Sequence, residues 1–187
     1  IAIIFILSFP LNKTFLKNSL TWLFIGFSIH LGFFASVFQI ISTDPLSSLS
    51  LNFSNDRLFI LYIVLISVLM DSIAFFIGKN FGKKPFINNV SPNKTMEGFL
   101  SAVTITPIFL LLTSSQAFEL PIILVFIVLS LVSIFSVIGD AVASLMKRVV
   151  EVKDYSNLIP GHGGLFDRLD SHIAAFPCFI FLLNILS

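Results

Sequence analysis

Between Ser144 and Asp170 the chain places four cations (Lys147, Arg148, Lys153, Arg168), four acids (Glu151, Asp154, Asp167, Asp170), His162 and three glycines between two apolar runs. Asp167 and Asp170 stand three apart, so on a helix they share a face. Together with Asp140 or Asp71 they can hold a hard divalent cation through oxygen. Magnesium takes one or two carboxylates and completes its shell with water and substrate phosphate. Lys147, Arg148 and Lys153 offer positive charge to two or more phosphoryl groups. Carboxylates and cations at one surface suit phosphoryl or nucleotidyl transfer, in which metal and cations neutralise developing charge. Pro160-Gly161-His162-Gly163-Gly164 lets backbone approach a ligand closely. His162 itself stays open as a base, a phosphate donor or a packing residue. No Walker-type glycine loop is present, which excludes a P-loop enzyme.

A second polar segment, residues 79–98, carries Lys79, Lys83, Lys84 and Lys94. Ser91-Pro92-Asn93-Lys94-Thr95 reads as a turn with hydroxyls and a cation. Glu97 and Gly98 stand at a helix entrance, where backbone amides beside a lysine make an anion site. Two acids lie in or beside apolar runs. Asp71 falls about two turns from the end of one run, and Asp140 follows Gly139 at the end of another. An intramembrane acid is functional by default, paired or facing water. The structural alternative for Asp71 is a packing partner for Lys83, and for Asp140 an interfacial residue reaching water. His30 and Cys178, each alone on an apolar run, read as packing residues.

The elements that must position these groups are membrane helices. The chain is 56% hydrophobic and 11% charged, with 23 phenylalanines, against about 25% charged in soluble domains. A soluble fold of this size cannot hide so much apolar surface, so the bilayer is the solvent. Five runs are long enough, or nearly so, to cross it: Trp22–Ile41, Leu58–Gly78, Phe99–Ser115, Pro121–Gly139 and Ile173–Ser187. Ile1–Phe9 reads as the tail of a sixth, so the chain is expected to be the C-terminal fragment of a larger protein. With backbone groups unsatisfied by water, such runs must be helical. The expected fold is an all-α integral membrane protein, a polytopic bundle of about five to six transmembrane helices in one domain over 1–187.

Ten of the eleven basic residues fall on alternate connecting segments, 11–21, 79–98 and 140–172; Arg57 alone lies on the other side. The positive-inside rule puts the ten on the cytoplasmic face, of a bacterial inner membrane or its equivalent. A net charge of +1 says nothing about nucleic acid, and no basic run interleaved with aromatics supports such a partner, so none is expected. One cysteine excludes an intrachain disulfide and a cysteine zinc cluster.

The stretch Ser144-x-Met146-Lys147-Arg148, four residues, Lys153-Asp154, then Pro160-x-His162-Gly163-Gly164-Leu165-x-Asp167-Arg168-Leu169-Asp170 resembles the signature of the CDP-diacylglycerol synthases (phosphatidate cytidylyltransferases). Asp71-Ser72-Ile73-Ala74-Phe75-Phe76-Ile77-Gly78, Gly82-Lys83 and Ser91 to Gly98 also resemble that family. Ser72 stands where threonine is usual and Asn93 where lysine is common. The resemblance covers about residues 71–172, the expected catalytic core. Residues 1–70 are upstream helices and 173–187 the last transmembrane helix.

The resemblance implies that CTP and phosphatidate give CDP-diacylglycerol and pyrophosphate with Mg2+, a second cation being left open, as is a homodimer. From the carboxylates and cations gathered at one interface, catalytic roles are expected for Asp140, Asp167, Asp170, Lys147, Arg148 and His162. Substrate binding falls to Ser91, Lys94, Thr95, Glu97, Lys153, Asp154, Gly163, Gly164 and Arg168. Metal ligation falls to Asp140, Asp167 and Asp170, with Asp71 a further candidate. The alternatives are a CTP-dependent polyprenol or dolichol kinase and, from another class, a membrane transporter.

Overall fold

The computed structural model describes residues 19–42, 56–87, 90–114, 121–152, 154–156, 164 and 166–186. The expected run Ile1–Phe9 lies outside them. The described residues form five helices in chain order: α1 (Ser19–Ser42), α2 (Asp56–Phe81), α3 (Met96–Ser114), α4 (Ile122–Val149) and α5 (Phe166–Leu186). Each contains a window long and apolar enough to cross a membrane. Among the described residues thirty large apolar side chains stay exposed, Phe24, Phe38, Phe75 and Leu112 among them, which suits hydrocarbon as the surrounding solvent. The chain is an integral membrane protein built as a helical bundle.

Three differences from the hydropathy reading matter for the site. α4 continues ten residues past Gly139, because Ala141, Leu145 and Val149 carry a helical apolar stripe onward and bury it against Ile87 and Val90. Hydropathy ends where charges begin, but amphipathic periodicity does not. α5 begins at Phe166 rather than Ile173, so Asp167, Arg168 and Asp170 occupy its first turn and a half. An acid there complements the positive end of the helix dipole. The polar stretch is therefore two helix ends and the segment between them rather than one loop.

Third, Ser91–Thr95 is a strand and not a turn. Strands β1 (Pro85–Ile87) and β2 (Ser91–Thr95) pair antiparallel with Pro85 opposite Thr95 and Ile87 opposite Ser91. This is the one departure from an all-helical chain among the described residues.

The bundle packs in three tiers. At the end away from the hairpin, Ile40, Ile63, Ile66, Leu110, Leu129, Val132 and Phe179 form the main core. Met70, Ala102 and Val137 fill the middle. Ile87, Val90, Leu145 and Val149 seat the hairpin on α4. Gly139 lets α4 and α5 touch: a Cβ there would lie 2.7 Å from Ala174 Cβ and 2.8 Å from the Asp170 carbonyl oxygen. That crossing brings Asp140 alongside the start of α5.

Candidate active site

Every element that ends near the hairpin sends one or more polar side chains inward. Asp71 projects from α2 and accepts a hydrogen bond from Ser171 Oγ at 2.9 Å. The same hydroxyl lies 3.4 Å from Asp170 Oδ1, whose carboxylate also caps the Ser171 amide at 2.8 Å. Ser171 thus bridges two carboxylates from different helices, reaching Asp71 across 100 residues of sequence. Asp140, just past the end of the apolar run on α4, takes Lys94 from β2 as its ion-pair partner and the Ser144 hydroxyl at 3.3 Å. Asp71, Asp140 and Asp170 are close enough to act electrostatically on one another. The structural alternative for Asp71, packing against a lysine such as Lys83, is not what forms: Ser171 is its hydrogen-bond partner, and the Lys83 backbone amide donates to Glu97.

Asp167 plays a different part. Its Oδ1 meets Lys147 Nζ at 2.8 Å, and its Oδ2 accepts the amides of Gly164 at 2.8 Å and Tyr155 at 3.0 Å. Lys147 also reaches Asp170, at 3.9 Å, and lies 5.2 Å from the centre of the Tyr155 ring. Asp167 and Asp170 therefore do share a face, but only Asp170 joins Asp71. The side chains of Lys147, Asp167 and Asp170 are 12%, 9% and 11% exposed, so each charge depends on its partners for solvation. Tyr155 donates its hydroxyl to the Ala143 carbonyl at 3.1 Å. Burial, followed by the neighbouring charges of Asp170 and Asp167, pushes its phenol up to about 12.

The hairpin residues bind structure first. Glu97 Oε2 accepts the amides of Lys83 and Lys84 at 3.0 and 3.2 Å. Thr95 Oγ1 caps α3 by accepting the Gly98 amide at 3.2 Å. The Met96 amide donates to the Lys84 carbonyl at 2.9 Å. The helix entrance read as an anion site therefore spends two of its first amides on its own chain. Ser91 stands in β2 opposite Ile87. Arg148 donates from Nε to the Val90 carbonyl at 3.3 Å, tying α4 to the hairpin.

Gly164 is tightly enclosed. A Cβ there would meet Ser156 Oγ at 2.6 Å and Asp167 Oδ2 at 3.0 Å. The close approach that its glycine permits in this structure is to Ser156 and Asp167. Asp154 is exposed on the segment between α4 and α5, and Arg168 on the first turn of α5. Lys153, His162 and Gly163 lie outside the described residues.

Sequence reasoning missed Ser171, Ser144 and Tyr155. Ser144 was already inside the signature and lies four residues from Asp140, a helical spacing that points it at that acid. Ser171 carried no such signal beyond following Asp170.

Among the described residues no three acid, histidine or cysteine side chains are grouped as a ready-made metal chelate. The expected trio of Asp140, Asp167 and Asp170 is not assembled as one: Asp167 is held by Lys147 and two amides, and Asp140 by Lys94. Asp71 and Asp170 are bridged by a hydroxyl, and Asp140 lies close enough to act electrostatically on both. Two carboxylates match the sparse protein shell that Mg2+ prefers.

A model described as the cytidylyltransferase family matches residues 1–186. The chain belongs to the cytidylyltransferase family. Among curated cytidylyltransferases it is 35% identical over 189 aligned positions to the phosphatidate cytidylyltransferase of Haemophilus influenzae, covering 96% of this chain and 63% of that one. It is 37% identical over 130 positions to that of Bacillus subtilis, covering 69% and 48%, and 39% over 113 positions to that of Aquifex aeolicus, covering 60% and 42%. The chain thus spans between 42% and 63% of the length of these relatives. The family expected from the signature is the one found, and neither the kinase nor the transporter alternative is favoured.

Proposed function

We propose that the full-length protein is a CTP:phosphatidate cytidylyltransferase, transferring the cytidylyl group at the cytoplasmic face of the membrane. The observation that carries this reading is the pair Asp71 and Asp170, bridged by Ser171 and flanked by the Lys94–Asp140 and Lys147–Asp167 ion pairs, at one end of a membrane bundle. Both reactants are anions. A phosphate oxygen of phosphatidate forms a bond to the α-phosphorus of CTP in line as the bond to the β-phosphate oxygen breaks, and pyrophosphate carries off the charge. The nucleophile is already ionised, so the demand on the protein is to offset anion–anion repulsion and hold the line of attack.

Lys94 and Lys147 are suited to that task. Each ammonium has three donors and spends one on its aspartate, which leaves donors for phosphate oxygens without breaking the pair. Asp140 and Asp167 in turn hold the two lysines in place before substrate arrives. Asp71 and Asp170 are the residues that would hold Mg2+, which when bound supplies Lewis-acid charge to the phosphoryl oxygens. Arg148, anchored to Val90, fixes the hairpin that carries Lys94.

Membranes containing the full-length protein, given phosphatidate and CTP labelled at the α-phosphate, should move label into lipid in a Mg2+-dependent way. Label entering lipid from the γ-phosphate, or from neither position, overturns the proposal. The sidedness rests on the basic-residue asymmetry. Single cysteines at Asn80 and Ser156, in a Cys178→Ala background, should react with an impermeant thiol reagent only from the cytoplasm, and one at Ser42 only from the opposite side. The reverse pattern overturns the orientation.

A further inference from the structure

Hydroxyls in these helices commonly turn back to their own chain. Ser36, Ser72, Ser101, Ser130 and Ser133 each donate to the carbonyl four residues earlier, at 2.7 to 2.8 Å. Ser67 on α2, Thr106 on α3 and Ser136 on α4 do not. Their residues are fully buried and their hydroxyls, among the described residues, meet no hydrogen-bond partner. Nδ1 of His172 on α5, a residue 9% exposed, is left in the same way. Four different helices thus each contribute one orphaned polar atom. Native interiors rarely leave such atoms, because each forfeits the hydrogen bond it made to water.

The four atoms fall in one zone of the bundle. Ser67 and Ser136 stand four residues before Asp71 and Asp140 on the same helix faces, about 6 Å deeper by helix rise. Gly98 fixes α3 against Ala74 and Gly78 of α2. Thr106, eight residues on, lies about 12 Å further from the hairpin, and Ser67 lies about 10 and 16 Å below those two α2 residues. His172 follows Ser171, whose hydroxyl meets Asp71, and precedes Ala175 of the main core. The zone therefore separates the carboxylates above from the apolar core of Ile66, Leu110, Val132 and Phe176 below. Ala102 and Ala175, both fully buried, border it with no more than a methyl group each.

We infer that Ser67, Thr106, Ser136 and His172 hold a cluster of ordered water molecules beneath the carboxylates, sealed from lipid by the helices that carry them. The chemistry of the four groups selects water. Each hydroxyl has an O–H to give as well as lone pairs to receive with. A metal cation takes lone pairs only and would leave every O–H unspent. An anion would sit against three carboxylates, and an apolar group would strand all four atoms. Water both gives and accepts, and makes about three hydrogen bonds when buried. This site is independent of the reaction proposed above, and its consequence is for the acids. Asp71, Asp140 and Asp170 lie within electrostatic reach of one another, and water on their inner side screens that repulsion better than packed hydrocarbon does.

Met70 is the natural reporter, since it is fully buried, packs with Ala102 and Val137, and follows Ser67 by three residues. The full-length protein in lipid nanodiscs is irradiated with X-rays, which turn water into hydroxyl radicals where it sits, and methionine oxidation is read by mass spectrometry. Met70 should be oxidised at roughly a tenth or more of the rate of the exposed Met96. In the triple variant Ser67→Ala, Thr106→Val, Ser136→Ala that rate should fall at least fivefold, with Met96 unchanged. Thermal unfolding of each single variant gives a second measure. Removing a hydroxyl that holds water costs a hydrogen bond, and the midpoint should fall by about 2 to 4 °C; removing a dry one raises it. Met70 silent in the wild type, equal oxidation in the triple variant, or raised midpoints in the single variants overturns the inference. A wild-type midpoint that differs between potassium, sodium and choline salts, with the difference lost in the triple variant, assigns the zone to a monovalent cation and overturns it as well.

Discussion

At the end of the bundle away from the hairpin, Ile63, Ile66, Leu129, Val132 and Phe179 are buried in a core where any side chain of similar volume would serve. At the hairpin end the buried side chains include Lys147, Asp167 and Asp170, and none can be exchanged without stranding another. The contrast follows from the solvent. Lipid is as apolar as leucine, so the far end is held by close packing rather than by expulsion of water. At the near end each charge is tolerated because a residue on another element answers it: Lys94 answers Asp140, Lys147 answers Asp167, and Ser171 answers Asp71. One end tolerates substitution because its interactions are diffuse. The other is brittle because its interactions are specific pairs.

The largest effect should come from carboxylates at the hairpin end. Asp140→Asn and Asp170→Asn are each expected to lower turnover by about a hundredfold or more, the scale of losing one preorganised electrostatic group, with expression and monodispersity intact. Leu129→Ala at the far end should do the opposite. It should cost about 2 to 5 kcal/mol of stability while the protein that remains folded turns over normally. Turnover normalised to folded protein checks both, and equal losses in the two classes would erase the contrast between the ends.

A smaller effect separates the support of a charge from its use. Lys147→Met leaves Asp167 buried with only amide partners, which should destabilise the protein by about 3 kcal/mol. Lys147→Met combined with Asp167→Asn should recover most of the lost thermal stability, because neither ion is then stranded. Turnover should not recover, since the ammonium that meets substrate phosphate is still missing. Recovered turnover in the double variant would make the pair purely structural.

The same contrast explains what was legible in the sequence. Apolar packing is written in hydropathy, so all five described helices stand where the apolar runs lie. The helix ends were hidden at the polar end. α4 finishes with Val152 N–H bonded to the Lys147 carbonyl and Glu151 N–H to that of Arg148, with Glu151 at φ 60°. That is a Schellman ending with glutamate where glycine is expected, so no glycine marked the stop. The hairpin was hidden because β2 is built from Ser, Pro, Asn, Lys and Thr, residues of turns rather than strands. The acids themselves were conspicuous, since charge in an apolar run demands a reason. Their partners were not, because Ser171 and Lys94 reach them across 100 and 46 residues of sequence.

The smallest expected effect lies at Tyr155, which belongs to the hairpin end yet carries no charge at neutral pH. Its phenol is pushed from an ordinary 10.0 up to about 12, by burial first and then by Asp170 and Asp167. The unfolded chain releases this proton near pH 10, whereas the folded protein keeps it until about pH 12. Between those values the folded state binds more protons, so stability falls as pH rises through that window, and below it the group adds no pH dependence. Tyr155→Phe removes the ionisation together with the hydrogen bond to Ala143. The variant should be less stable at neutral pH by about 1 kcal/mol, with turnover within about fivefold of wild type, the scale of one neutral hydrogen bond. The gap in thermal midpoint between wild type and variant should then narrow as pH rises above 10. A gap that widens instead would mean that the Lys147 ammonium, 5.2 Å from the ring centre, outweighs burial and the two aspartates. The hairpin end would then favour negative charge at this position as well as at its acids.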